Sequence, residues 1–184
     1  MSPRADAIRN RQKILDAARE QITSHGPETG MDEIAAAAGV AVGTLYRHFP
    51  NKTDLVSAVV VESLGRVADD IEAAAGRIAG GARAMDELTG LIGRVLEASA
   101  TDHAVKAAAR ALGAYPGDQE EEIRASTALA GLISAAQRDG DLHADVTVDD
   151  FYLLISYAPT DQPAEVRARW LTLVLPGLRT RGRI

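Results

Sequence analysis

Met31-Asp32-Glu33-Ile34-Ala35-Ala36-Ala37-Ala38-Gly39-Val40-Ala41-Val42-Gly43-Thr44-Leu45-Tyr46-Arg47-His48-Phe49-Pro50 holds two short helical patterns set end to end. Asp32 and Glu33 place acid in the first turn of one, and Gly39 breaks it. The second runs about two turns before Pro50 stops it. Two short helices joined by a tight glycine turn are what a helix-turn-helix uses to set its second helix into the DNA major groove. In that second helix Val40, Leu45 and Phe49 have the spacing of a buried face. Val42, Gly43, Thr44, Tyr46, Arg47 and His48 are left to face outward. Arg47 and His48 offer hydrogen-bond donors, and Gly43 lets the backbone approach closely.

Helical signals extend to both sides. Ser2-Pro3 reads as a cap followed by proline at the first helical position, and Ile8, Leu15, Ala18 and Ile22 recur at helical spacing until His25, before Gly26-Pro27. Downstream, Asn51 with Asp54 caps a long fourth helix marked by Val56, Val60, Leu64, Val67 and Ile71, fading between Ala75 and Gly81. Met85, Leu88, Ile92 and Val95 mark a fifth helix, and the alanine-rich Val105 to Leu112 a sixth, before the turn Tyr115-Pro116-Gly117. Asp118 to Arg138 forms the seventh. Thr147 with Asp150 caps the eighth, and Val166, Trp170, Leu173 and Leu178 mark the ninth.

Composition agrees with an all-α chain of about nine helices. In 184 residues aromatics make up only 4%, which favours helices packed through small side chains over a sheet. The formal net charge is −6, so attraction to nucleic acid has to come from a local patch. Arg4, Arg9, Arg11 and Lys13 against Asp6 supply one at the start of the chain, while the surplus of acid lies after residue 55. The absence of cysteine excludes disulfides, Cys-type zinc sites and thiol nucleophiles. No apolar run approaches the ~18 residues of a membrane span, and no secretory signal follows the basic start, so a cytoplasmic location is expected.

The stretch from Met31-Asp32-Glu33-Ile34-Ala35 through Gly39-Val40 to Gly43-Thr44-Leu45-Tyr46-Arg47-His48-Phe49-Pro50-Asn51-Lys52 resembles the signature of the TetR family of transcription regulators. Leu132 to Leu142 is similar to the family's second half by looser pattern. The resemblance implies an N-terminal three-helix DNA-binding domain, 1–52, and a C-terminal helical domain for ligand binding and dimerisation, 53–184. It implies that Gly43, Thr44, Tyr46 and His48 lie at the DNA and that Lys52 meets a phosphate. Gly30 and Ala41 depart from the family pattern, which commonly has a capping hydroxyl at each place. Thr29 then comes forward as a substitute phosphate contact. The implied partner is double-stranded, palindromic operator DNA, released when a small, largely apolar effector binds between helices 4 to 8.

No cofactor or metal site is expected. His25, His103 and His143 are scattered, and Gly80-Gly81 lacks the Lys-Ser or Lys-Thr of a phosphate loop. Asp102-His103 and Asp149-Asp150 read as solvating or capping groups. The polar residues His103, Arg110, Tyr115, Tyr152 and Tyr157, set among small apolar ones, are the candidates for effector contact. Phe151, Leu154, Ile155 and Ala158, with Val166, Trp170, Leu173 and Leu178, give helices 8 and 9 apolar stripes suited to a homodimer. Two other readings stay open: a helical interaction module, which requires Tyr46 and His48 to face the core, and a small helical enzyme.

Overall fold

The structure, a computed structural model, describes residues 3–114 and 119–180. These form nine α-helices: α1 (Pro3–His25), α2 (Met31–Ala38), α3 (Val42–His48), α4 (Lys52–Ala79), α5 (Ala84–Thr101), α6 (His103–Ala111), α7 (Gln119–Arg138), α8 (Val148–Ser156) and α9 (Ala164–Leu178). Among the described residues the sole β pairing is an isolated bridge between Leu142 and Arg179.

By packing the chain divides into two units, Met1–Ser63 with Thr101–Gly117, and Leu64–Ala100 with Asp118–Ile184. The border therefore falls inside α4 rather than at its start, and the first unit takes in α6. The reason is the apolar face of α6. Val105, Ala108 and Ala109 join Ile14, Leu15, Ala18 and Ile22 of α1, Ile34 and Ala35 of α2, Leu45, Phe49, and Leu55, Val56 and Val59 of α4 in one core. Helix α1 buries Leu15, Ala18 and Ile22, whereas Ile8, expected on the same stripe, is 64% exposed. The first two turns of α1 thus lie beyond the core that holds the rest.

The second unit has a core of its own, built from Ile71 and Ala74 of α4, Met85, Leu88 and Ile92 of α5, Leu129, Leu132 and Ile133 of α7, Phe151, and Leu178. Arg124 ties α7 to α4 through Glu72 and Asp69 and bonds Glu121 within α7. Arg94 ties α5 to Asp70 of α4, and Arg167 ties α9 to Glu97 of α5. At the start of α8 Asp150 N donates to Thr147 Oγ1 and Thr147 N donates to Asp150 Oδ2 at 2.8 Å, the reciprocal cap expected from the sequence.

The stripes assigned to a homodimer need revision. Phe151 and Leu178 are buried in the unit's own core, and Leu154 and Ile155 pack against it. The large apolar groups that α8 and α9 leave exposed are Tyr152, Leu153, Val166 and Leu173, followed by Tyr157. No helix of the described residues is long and apolar enough to cross a membrane.

Candidate DNA-binding surface

Helix α2 begins after Gly30, whose N–H donates to Glu33 Oε2 at 2.8 Å, and ends at Gly39. Gly39 adopts φ +64°, a left-handed conformation open to glycine, and its neighbour Val40 donates to Ala35 O. That reversal aims α3 away from α2. Helix α3 has seven residues, too few to persist alone, and one of them, Leu45, is fully buried. Phe49 closes its end at 4% exposure, with the Arg11 guanidinium 5.4 Å over its ring.

With Leu45 turned inward, the other side of α3 is open. Val42 and Tyr46 are 40% and 44% exposed, Gly43 and Arg47 are exposed, and Thr44 and His48 are half-buried. A Cβ on Gly43 would meet nothing within 4 Å, so the protein's own packing does not require glycine there. The Arg47 guanidinium lies back along its helix, donating to Gly43 O at 3.1 Å and Thr44 Oγ1 at 3.0 Å. Thr44, Arg47 and His48 share a recess with Asp6, Ala7 and Asn10 of α1. The basic start of the chain borders this surface, with Arg9 paired to Asp6.

Lys52 opens α4 beside the cap in which Asp54 N donates to Asn51 Oδ1 at 2.9 Å, and its ammonium donates to Pro27 O. Thr29 is placed differently from the expectation. It is 5% exposed and its hydroxyl donates to Gly26 O at 3.0 Å, tying the turn between α1 and α2. Gly30 and Ala41 carry no side-chain cap, in keeping with their chemistry.

The residues singled out for an effector are divided between the two units. His103 and Arg110 are exposed on α6 of the first unit, and Tyr152 is 47% exposed on α8 of the second. Tyr157 is exposed as well, and Tyr115 lies outside the described residues. No three His, Cys, Asp or Glu side chains come together as a metal site among the described residues.

Sequence reasoning missed a charge cluster that joins α1 to α4 and to the start of α6. Arg19 Nη2 donates to Glu62 Oε2 at 2.8 Å, and Nε lies 3.2 Å from Asp102 Oδ1. Asp102, read as solvating or capping, does neither: it is 6% exposed and makes no side-chain capping bond. A charge on the apolar side of an amphipathic helix is the signal available in the sequence for Arg19, which lies one residue after Ala18 and three before Ile22.

Residues 14–59 match the family model described as bacterial regulatory proteins, tetR family, and residues 83–180 match the model for the C-terminal domain of SbtR-like transcriptional regulators. A TetR transcription regulatory protein from Mycobacterium vanbaalenii is similar over 97% of this chain and 100% of its own, at 33% identity and a TM-score of 0.77. This chain belongs to the TetR family. A TetR transcriptional regulator from Streptomyces coelicolor is similar at 28% identity and a TM-score of 0.73, over 92% of this chain and 98% of its own. An HTH-type transcriptional regulator of Staphylococcus aureus is 44% identical over 62 residues, 33% of this chain and 34% of that protein. The match thus spans about a third of the length of those curated relatives. The TetR family is one of transcription regulators and not of enzymes.

Proposed function

We propose that this TetR-family chain is a homodimeric repressor that reads a palindromic operator with α3 and is released from it by a small, largely apolar effector. The observation that carries the reading is the division of α3 into one buried residue, Leu45, and an open face of Val42, Gly43, Thr44, Tyr46, Arg47 and His48. A helix this short, held by its back and bare in front, is suited to lie in a groove that admits one helix. Tyr46, Thr44 and His48 are the candidate base readers. Arg47 and Lys52 now hold backbone carbonyls, Gly43 O and Pro27 O, which phosphate oxygens would replace as acceptors. Thr29 drops out of the set because it is buried, at 5% exposure, with its hydroxyl tying the turn between α1 and α2.

The large apolar groups that α8 and α9 leave exposed support self-association, which would take them out of water. A two-fold dimer would present its recognition helices about 34 Å apart, one DNA turn, and so demand a two-fold operator. An effector that prefers a different spacing weakens DNA binding, and DNA weakens the effector by the same factor, typically about 5- to 150-fold. His103, Arg110, Tyr115 and Tyr152 are the positions to substitute when mapping that effector.

Fluorescence anisotropy with duplexes chosen by in vitro selection, at two salt concentrations, tests the reading. Tyr46→Ala and His48→Ala should weaken the selected duplex far more than a random one. If both variants bind the selected duplex as well as the wild type, α3 is not the reading helix. A monomeric mass in light scattering at micromolar concentration would remove the dimer.

A further inference from the structure

Residues 1–15 hold one acid, Asp6, among Arg4, Arg9, Arg11 and Lys13. It stands in the first turns of α1, which run past the core of the first unit, as the 64% exposure of Ile8 shows. With Ala7 and Asn10 it lines one side of the recess whose other side is Thr44, Arg47 and His48 of α3. An α-helix with its side chains is about 10 to 12 Å across and the major groove about 12 Å wide, so a helix lying in the groove fills it. Whatever borders the open face of that helix then lies on the rim, among phosphates. Asp6 is a negative charge set where more negative charge has to arrive.

The cations along this rim are engaged in different ways. Arg11 has its guanidinium 5.4 Å over the Phe49 ring, and Arg47 donates to Gly43 O and Thr44 Oγ1. Those partners carry no net charge, and an approaching phosphate loses nothing to them. Arg9 Nη2 is paired instead with Asp6 Oδ1, one turn back on the same helix. A guanidinium held by a carboxylate meets a phosphate only by leaving it, and the carboxylate left behind repels the phosphate that took its partner. Both side chains are about half exposed, 47% for Arg9 and 49% for Asp6, a setting in which an ion pair adds little to folding. The larger consequence of the pair falls on DNA binding.

We propose that Asp6 holds Arg9 back from the DNA backbone and so withholds one phosphate contact per half-site from the sequence-independent share of DNA affinity. The proposal rests on the reading of α3 given above. Non-specific affinity is almost wholly phosphate contact, so a cation withheld shortens the time the protein spends on DNA that it does not read. Removing the acid therefore tightens binding. An acid that merely steadied the start of α1 against the helix dipole would have the opposite effect, since its loss would loosen the basic turns.

Fluorescence anisotropy on the full chain, with one selected and one random duplex at several salt concentrations, tests this with Asp6→Ala. Alanine brings neither charge nor donor, so a phosphate gained is met by Arg9. Both duplexes should bind with a slope of log affinity against log salt steeper by about 0.9 for each half-site. Taken from 1 M salt, that slope corresponds to a gain of about 15-fold per half-site at 50 mM and about fourfold at 200 mM. In the Asp6→Ala background Arg9→Gln should return the slope to that of the wild type. Asp161→Asn makes the same change of net charge in the second unit and should leave both duplexes bound as before. Circular dichroism establishes that each variant folds, and if Asp6→Ala does not, Asp6→Asn with the same Arg9→Gln reversal decides. An unchanged slope in the folded variant, weaker binding of either duplex, or an equal gain from Asp161→Asn overturns the proposal and leaves the reading of α3 standing. If Tyr46→Ala and His48→Ala bind the selected duplex as well as the wild type does, the reading of α3 has failed and this proposal with it, whatever Asp6→Ala does.

Discussion

Replacing Leu45 with alanine asks whether one side chain holds α3 in place. Leu45 is fully buried, and it is the one buried residue among the seven of α3. The substitution removes three carbons from that position. At about 0.8 kcal/mol per buried methylene the lost transfer free energy is about 2.4 kcal/mol. The core that Leu45 shares with Ile14, Ala18, Ile34 and Phe49 can collapse only in part, and the remaining cavity brings the cost to about 3 to 4 kcal/mol. In a chain of this length that lowers the thermal midpoint by roughly 6 to 15 °C. Operator affinity should fall further than stability implies, because a helix of two turns that has lost its anchor is docked for a smaller fraction of time, and apparent affinity falls by that fraction. Urea unfolding followed by circular dichroism measures the first effect and anisotropy with the selected duplex the second. Val42→Ala, at an exposed position of the same helix, is the control and should stay within about 0.5 kcal/mol. A Leu45→Ala cost below about 1 kcal/mol, or one no larger than that of Val42→Ala, would refute the account of how α3 is held.

Asn51→Ala removes the cap that Asp54 N donates to and should cost about 1 kcal/mol in urea unfolding, with Asn51→Ser close to neutral. Lys52→Ala should weaken selected and random duplexes alike and reduce the slope of log affinity against log salt by about one. Glu72, Glu87 and Glu97 are each held below the ordinary carboxylate value of 4.5, first of all by hydrogen bonds from Arg124, Arg77 and Arg167. Their pairs therefore contribute stability above that value and lose it as pH falls through 4.5 and below. Arg124→Gln should lower the urea midpoint at pH 7 and by a smaller amount at pH 3, and an equal difference at both would argue against the pairing.

The regular features were readable in the sequence because they follow from local chemistry. Gly39, Pro50, Asn51-Asp54 and Thr147-Asp150 each fix a helix end through a few neighbouring atoms, and the helices stop where those signals stand. The open face of α3 followed from the spacing of Leu45 and Phe49. What the sequence did not give away depends on partners far along the chain. Ile8 has the period of the core stripe and is exposed because the core does not reach that turn of α1. Phe151 and Leu178 look like interface residues until α7 and α5 are seen to cover them. Asp102 has the position of a cap, and only the fold brings it to Arg19, 83 positions earlier in the numbering.

The inward dependence of α3 on Leu45 also bears on how such a regulator changes over evolutionary time. Six of its seven residues lie outside the fully buried core, so substitutions among them draw little on the reserve of folding free energy. If α3 reads the operator as proposed, a lineage that duplicates this gene is free to drift toward a new one through Val42, Gly43, Thr44, Tyr46, Arg47 and His48 while the scaffold stays intact. A randomised library at the same six positions, with Leu45 held fixed, should for the same reason yield mostly folded proteins.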